Sequence, residues 1–178
     1  MEYAMNEPLG ELRVRTLTEA DARLVVDATA RETSTAMWGP RPVGPYGWDD
    51  AVAALREWVP ERGQVSYGAV GEKGLVAVFG LMFDGPSSAE VAYWVAPGER
   101  GRGWASRGLA AVSDWGHRAG VDRLWLEVNP DNVASSRVAA KAGYRFVERL
   151  TEHCRTWTYD DADRDPRHDC LIYEHASA

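Results

Sequence analysis

The segment Arg100-Gly101-Arg102-Gly103-Trp104-Ala105-Ser106 combines the residue types that an anion site needs. Two glycines let a backbone turn tightly and come close to a ligand. Where a helix begins just after such a turn, its first amide N–H groups and its positive end face the same point. Arg100 and Arg102 add guanidinium donors whose geometry suits phosphate. The chemistry on offer is pyrophosphate binding. Taken alone the segment stays open, because helices after glycine turns are common and arginines in such a turn are equally readable as solvated. Two nucleotide sites are excluded by spacing. The Gly-Lys-Ser/Thr ending of a P-loop is missing, and so is the third glycine of a dinucleotide fingerprint, which makes ATP and NAD poor candidates.

The wider context narrows the choice. Arg-x-x-Gly-x-Ala at 100–105, preceded by Ala92-Tyr93-Trp94-Val95-Ala96-Pro97, resembles the acetyl-CoA pyrophosphate motif of the GNAT superfamily of N-acetyltransferases. The run Asn129-Pro130-Asp131-Asn132-Val133-Ala134-Ser135-Ser136-Arg137 and its ending Lys141-Ala142-Gly143-Tyr144 are similar to the same family. The resemblance is strong over 88–148, and the order of elements extends it to most of the chain. The Asn-x-x-Ser variant and the Tyr-Trp-Val-Ala-Pro strand resemble the subgroup that acetylates ribosomal-protein N-termini at serine or alanine. That subgroup also contains enzymes acting on small amines and antibiotics. The resemblance implies acetyl-CoA (coenzyme A) as cofactor, with its pyrophosphate on Arg100, Gly101, Arg102, Gly103, Trp104, Ala105 and Ser106. It implies that the strand ending at Val95 is splayed from the next one. Backbone groups near Trp94 and Val95 would then meet the pantetheine and the acetyl carbonyl. Asn129 and Asn132 read by themselves as a strand-end turn and a helix cap. The resemblance makes Asn132 a cofactor contact and leaves Asn129 balanced between the two roles.

Acetyl transfer to an amine requires the neutral nitrogen, and an alkylammonium titrating near ~10 is mostly protonated at neutral pH. A general base must take that proton directly or through water. Glu90 is the candidate, because it lies near the start of the strand that ends at the acetyl group and the subgroup's pattern places a carboxylate there. Strand alternation puts it on one face with Ala92 and Trp94. An ordinary solvated strand glutamate is an equal reading. Many members of the family protonate the leaving thiolate with a tyrosine on the helix after the asparagine, but that position is Ala139 here. Ser135 stands where the subgroup has a serine, and the resemblance makes it the acid or thiolate hydrogen-bond donor. Tyr144 falls at a core position of the family and is expected to pack.

Trp38, Tyr46 and Trp48 lie in the loop that borders the acceptor groove of this fold. They are expected either to stack on a substrate or to plug the core. His117, His153, His168 and His175 show no metal-ligand spacing, so no metal is expected and the histidines read as surface or hairpin residues.

The elements that must position these residues follow from periodicity. A strand covers 11–18. Thr18 caps a helix, with Asp21 in the capping-box position. A Gly/Pro/aromatic loop spans 31–50, and a helix covers 48–61. Period-two patterns over 64–72, 74–83 and 88–97 give three strands. A helix over 106–120, a strand over 122–129 and a helix over 131–143 follow, the last capped by Asp131 and ended by Gly143. Strands at 144–159 and 167–175 flank a charged turn at 160–169. The expected fold is α/β, a GNAT-like mixed central sheet in the order β-α-α-β-β-β-α-β-α-β-β, forming one acetyltransferase domain over 1–178.

Composition agrees with that class. The chain has 178 residues, 45% hydrophobic, enough for one core. Its net charge of −7, with no basic stripe, argues against a nucleic-acid partner. The acidic N-terminus lacks a signal-peptide h-region, and no run of about 18 apolar residues exists, so no membrane association and a cytoplasmic location are expected. Cys154 and Cys170 are too few for a disulfide framework. They could pair if two late strands lie side by side, but two reduced buried thiols are the better expectation in a cytosolic protein. The expected function is acetyl-CoA-dependent N-acetyl transfer to a primary amine, on a protein N-terminus or a small molecule, by an enzyme that is a possible homodimer. An antibiotic- or aminoacyl-nucleotide-detoxifying acetyltransferase and a non-catalytic acyl-CoA sensor are the alternatives.

Overall fold

The computed structural model describes residues 3–34, 37–38, 41–159 and 161–175, with the backbone only at 37–38 and 41–42. The elements run in chain order as β1 (Asn6–Leu9), β2 (Leu12–Thr16), α1 (Ala22–Thr29), β3 (Met37–Trp38), β4 (Arg41–Pro42), α2 (Trp48–Glu57), β5 (Gln64–Gly71), β6 (Gly74–Gly85), β7 (Ser88–Val95), α3 (Trp104–Arg118), β8 (Arg123–Val128), α4 (Val133–Lys141), β9 (Tyr144–Arg155) and β10 (Arg167–His175). Eight strands form one sheet in the order β1-β2-β5-β6-β7-β8-β10-β9, and β3 pairs separately with β4. Within the large sheet every pairing is antiparallel except β7 with β8. The expected order of elements is therefore present, in the mixed α/β sheet that the resemblance implied.

Adjacent residues on β6 show how the sheet is covered. Phe79 packs into the larger core with Leu109 and Val112 of α3 and Ala139 of α4. Val78 points the other way, into a smaller cluster with Val25 of α1 and Ala51 and Leu55 of α2. Period-two alternation thus puts α1 and α2 on one face and α3 and α4 on the other.

Several local expectations change. The first strand is the second arm of a hairpin, because Gly10 at φ +66° lets Asn6–Leu9 fold back on it. The 31–50 loop contains the short β3–β4 pair. Asn132, not Asp131, caps α4, since its Oδ1 accepts the Ser135 N–H at 3.0 Å. The 144–159 strand stops at Arg155, because Asp165 gathers the chain that follows. Its carboxylate accepts the backbone N–H groups of Trp157 (2.8 Å), Thr158 (2.8 Å) and Tyr159 (3.2 Å). That carboxylate is held well below the usual range by the Thr156 hydroxyl and these amides, against the opposing effect of burial. Cys154 and Cys170 are joined as a disulfide, against the expectation of free thiols. β9 and β10 are antiparallel neighbours, and the two Cα atoms stand 6.0 Å apart, well inside disulfide range. Cys154, His168 and Cys170 bring donor atoms within 4.8 Å of one another, but the two sulfurs are spent on each other. His117 and His175 are not plain surface residues. Their rings stack 5.2 Å apart between α3 and β10 and share a 3.0 Å hydrogen bond.

Helix α3 carries the anion-binding turn at its N-terminus, so its seating on the sheet matters. A Cβ on Gly108 would lie 2.2 Å from Phe79 Cζ, so the helix approaches β6 where only glycine fits. Gly108→Ala is expected to destabilise the fold by about 1–3 kcal/mol through overpacking, despite alanine's better helix propensity. Denaturant unfolding checks this, and unchanged stability would contradict the close seating.

Candidate active site

The parallel pairing of β7 with β8 covers only Ser88↔Arg123, Ala89↔Leu124 and Glu90↔Trp125. Beyond it, β7 stays with β6 as far as the Ala77↔Val95 pair, while β8 stays with β10 as far as Leu171↔Val128. The two strands part, and the gap opens where the resemblance implied a splay. Ala96 N–H donates to Val76 O at 2.9 Å. By alternation, Trp94 then turns its backbone groups to β6, while Tyr93 and Val95 turn theirs to the gap. The Val95 backbone therefore faces the gap, and the Trp94 backbone faces β6. A cleft of about 680 Å³ fills this region. Glu90, Tyr93, Glu127, Asn129, Asn132 and Ser135 line it together with residues of the β9–β10 turn.

Glu90 is brought into the cleft as expected. Burial pushes its carboxyl up to about 8, and the neighbouring Glu127 and Asp84 carboxylates add to the shift. Burial also raises Glu127, opposed by His153 and His168, and His153 Nε2 lies 3.4 Å from Glu127 Oε1. On the opposite face of β7, the Tyr93 hydroxyl lies 2.5 Å from Ser135 Oγ. Burial raises the Tyr93 phenol, so it stays protonated and able to donate at neutral pH. Ala139, the position at which the resemblance implied a tyrosine in many family members, is fully buried. The cleft's phenol comes instead from β7, a residue that sequence reasoning missed. The available signal was its alternation with Glu90, which puts the two on opposite faces. Tyr144 packs as expected, with its hydroxyl 2.7 Å from Ser113 Oγ.

The turn at 100–106 has the backbone of an anion cradle. Gly101 and Gly103 sit at φ +77° and +79°, and a Cβ at either would meet nothing, so conformation rather than space demands glycine there. Gly103 is the N-cap of the 15-residue α3, whose first amides, from Trp104, Ala105 and Ser106, face outward. The side chains are more committed than expected. Ser106 Oγ donates to Gly103 O at 3.1 Å, and Trp104 is buried in the core. Arg102 pairs with Glu99 at 3.0 Å. Arg100 donates through Nε to Val95 O at 3.0 Å and pairs with Glu32.

Glu32 is the second residue that sequence reasoning missed. Its fully buried side chain accepts from the Trp94 indole at 2.7 Å, from Arg100 and from the N–H groups of Thr33 and Ser34. Burial alone would raise its carboxyl, but these donors together lower it. The asparagines line the cleft in the turn and cap roles read from sequence alone. Asn129 Oδ1 accepts the Asp131 N–H at 2.9 Å, and Asn132 caps α4. Of the expected acceptor-side aromatics, the Trp38 side chain lies outside the described residues. Trp48, at 56% exposure, lies on the surface. Tyr46 lines a separate apolar pocket beneath α1 and α2.

Comparison with known proteins places the chain in a family. Residues 11–145 match the acetyltransferase (GNAT) domain. The chain is 29% identical over 132 residues to an aminoglycoside N(6')-acetyltransferase type 1 from Serratia marcescens, covering 68% of this chain and 87% of that protein. Its fold is similar to a ribosomal-protein-S5-alanine acetyltransferase from Vibrio fischeri, with a TM-score of 0.76 at 17% identity over 97% of each chain. It is also similar to a spermidine N-acetyltransferase SpeG chimera from Vibrio cholerae and hSSAT, with a TM-score of 0.72 at 15% identity, covering 94% of this chain and 96% of that one. Acetyltransferases of this kind use acetyl-CoA as co-substrate, and the glycine turn, the helix N-terminus and the β7–β8 gap fit a pyrophosphate followed by an extended arm. The chain belongs to the GNAT family of N-acetyltransferases.

Proposed function

We propose that the protein transfers the acetyl group of acetyl-CoA to a primary amine that arrives as a cation, with Glu90 as base and Tyr93 with Ser135 as the donor pair. The observation that carries this reading is the arrangement across the gap. A carboxyl raised to about 8 lies on one face of β7, and a protonated phenol bonded to Ser135 lies on the other. Acetyl-CoA supplies an activated thioester. The 100–106 backbone holds its pyrophosphate, and the Tyr93 and Val95 backbone groups hold its arm. Glu90 and Glu127 draw an ammonium into the cleft. Its positive charge favours the ionised form of Glu90, which then takes a proton from the nitrogen. The freed nitrogen attacks the thioester carbonyl, so the C–N bond forms and the C–S bond breaks. Tyr93, in contact with Ser135, gives its O–H proton to the departing sulfur, and the second proton shed by the nitrogen restores the phenol. An aminoglycoside acceptor is a second reading, favoured by the likeness to the Serratia marcescens enzyme.

The test is acetyl-CoA-dependent thiol release with a panel of amines, followed across pH. The kcat/KM limb is expected to rise through about pH 8 as free Glu90 loses its proton. The kcat limb is expected at lower pH, because the bound cation favours the carboxylate. Glu90→Gln removes both limbs and lowers kcat by roughly 10²–10⁴-fold, the usual span of general-base catalysis, with acetyl-CoA affinity retained. An unchanged profile in this variant would remove Glu90 from the mechanism. Tyr93→Phe is expected to lower kcat by about tenfold or more while leaving KM for the amine unchanged. Equal kcat would assign the sulfur's donor elsewhere.

A further inference from the structure

Beneath α1 and α2 lies a second pocket, of about 160 Å³. Leu17, Val25, Leu55, Val78, Trp58 and Trp94 give it an apolar wall. Apolar cavities of about 150 Å³ hold a benzene-sized ring. Ser66 also lines it, and the Ser66 hydroxyl is buried without a hydrogen-bond partner. The Thr29 hydroxyl on the same wall is already committed, donating to Val25 O at 2.8 Å and accepting the Tyr46 N–H at 3.1 Å. A buried hydroxyl without a partner costs stability unless something else supplies one. The pocket adjoins the catalytic cleft, since Val43 and Met82 line both. Met82 is the cross-strand partner of Glu90, which puts the two Cα atoms about 5 Å apart.

We propose that this pocket receives a side group of the acceptor. The acceptor is then a cationic amine that carries, a few bonds from its nitrogen, an aromatic or apolar group of one-ring size, with a polar substituent placed to meet Ser66. The inference rests on the reading of the Glu90 cleft as the transfer centre. The two sites divide the acceptor by chemistry. The ammonium meets Glu90 and Glu127, and the ring leaves water among Trp58, Trp94 and the aliphatic wall. A polyamine or an aminoglycoside has charge along its whole length, and placing such a group on this wall carries a desolvation cost. Glu57 is the one carboxylate on the wall among the described residues, and a second cation would have only that partner there. Of the three aromatics expected on the acceptor side, Tyr46 lines this pocket, together with Trp58 and Trp94.

The experiment compares kcat/KM for tyramine, 2-phenylethylamine, a phenylalanyl dipeptide amide, spermidine and kanamycin. It uses the intact protein, Ser66→Ala and Ala54→Phe, which fills the pocket from α2. Ligand-observed NMR measures tyramine binding without turnover. Ring-bearing amines are expected to exceed spermidine and kanamycin by tenfold or more. Ala54→Phe removes that advantage and leaves spermidine turnover unchanged. Ser66→Ala, the milder change, reduces the preference for tyramine over 2-phenylethylamine by roughly three- to tenfold, the worth of one buried hydrogen bond. The dipeptide amide against tyramine tells a chain terminus from a free amine. Preference for spermidine or kanamycin, or tyramine binding that neither variant alters, overturns the inference and leaves the transferase reading standing. Tyramine binding lost in Ala54→Phe, with no amine acetylated, supports the pocket and sinks the proposed reaction instead.

Discussion

Hydrogen bonding between β7 and β8 ends at the Glu90–Trp125 pair, and the chemistry of this protein depends on that interruption. The sheet continues on both sides, because β6 holds the rest of β7 and β10 holds the rest of β8. Two outer partners thus keep the strands rigid while they separate. The backbone groups left along the gap need partners, and in this structure one of them, Val95 O, takes Arg100. A slot with fixed walls and free polar edges suits an extended thioester. Glu90 lies at the last pair before the strands part, and burial there raises its carboxyl to about 8.

A buried carboxylate ties this slot to the rest of the molecule. Glu32 follows α1, yet it binds Trp94 on β7 and Arg100 in the glycine turn. Removing one partner from such a buried ion pair leaves an uncompensated charge and is costly. The loop after α1, the floor of the apolar pocket and the anion cradle consequently hold one relative position. Arg100 thus braces the glycine turn against Glu32 and Val95.

Much of the frame was legible in the sequence because its causes are local. Strand and helix periods set the element order, and two glycines at positive φ mark the cradle whatever surrounds them. Glu90 was legible through the strand that contains it. What sequence reading missed depends on contacts distant along the chain. Tyr93 meets Ser135 across 42 residues, and Glu32 meets Trp94 across 62 and Arg100 across 68. The Cys154–Cys170 bond depends on the register of two strands, which composition does not encode. Asp131 and Asn132 are both good caps by type, and only in the folded chain is it seen that the Asn132 oxygen reaches the Ser135 amide. Trp58 falls within the helix expected over 48–61, and its place on a pocket wall emerges only when α2 packs over β6.

Amide hydrogen exchange read residue by residue, with and without acetyl-CoA, tests the central claim most directly. If the β7–β8 gap is the cofactor slot, acetyl-CoA slows exchange at Tyr93 and Val95 and in the first turn of α3, while the Trp94 amide, already bonded to β6, changes little. Tight binding with no added protection at Tyr93 and Val95, or no binding at all, would contradict the account.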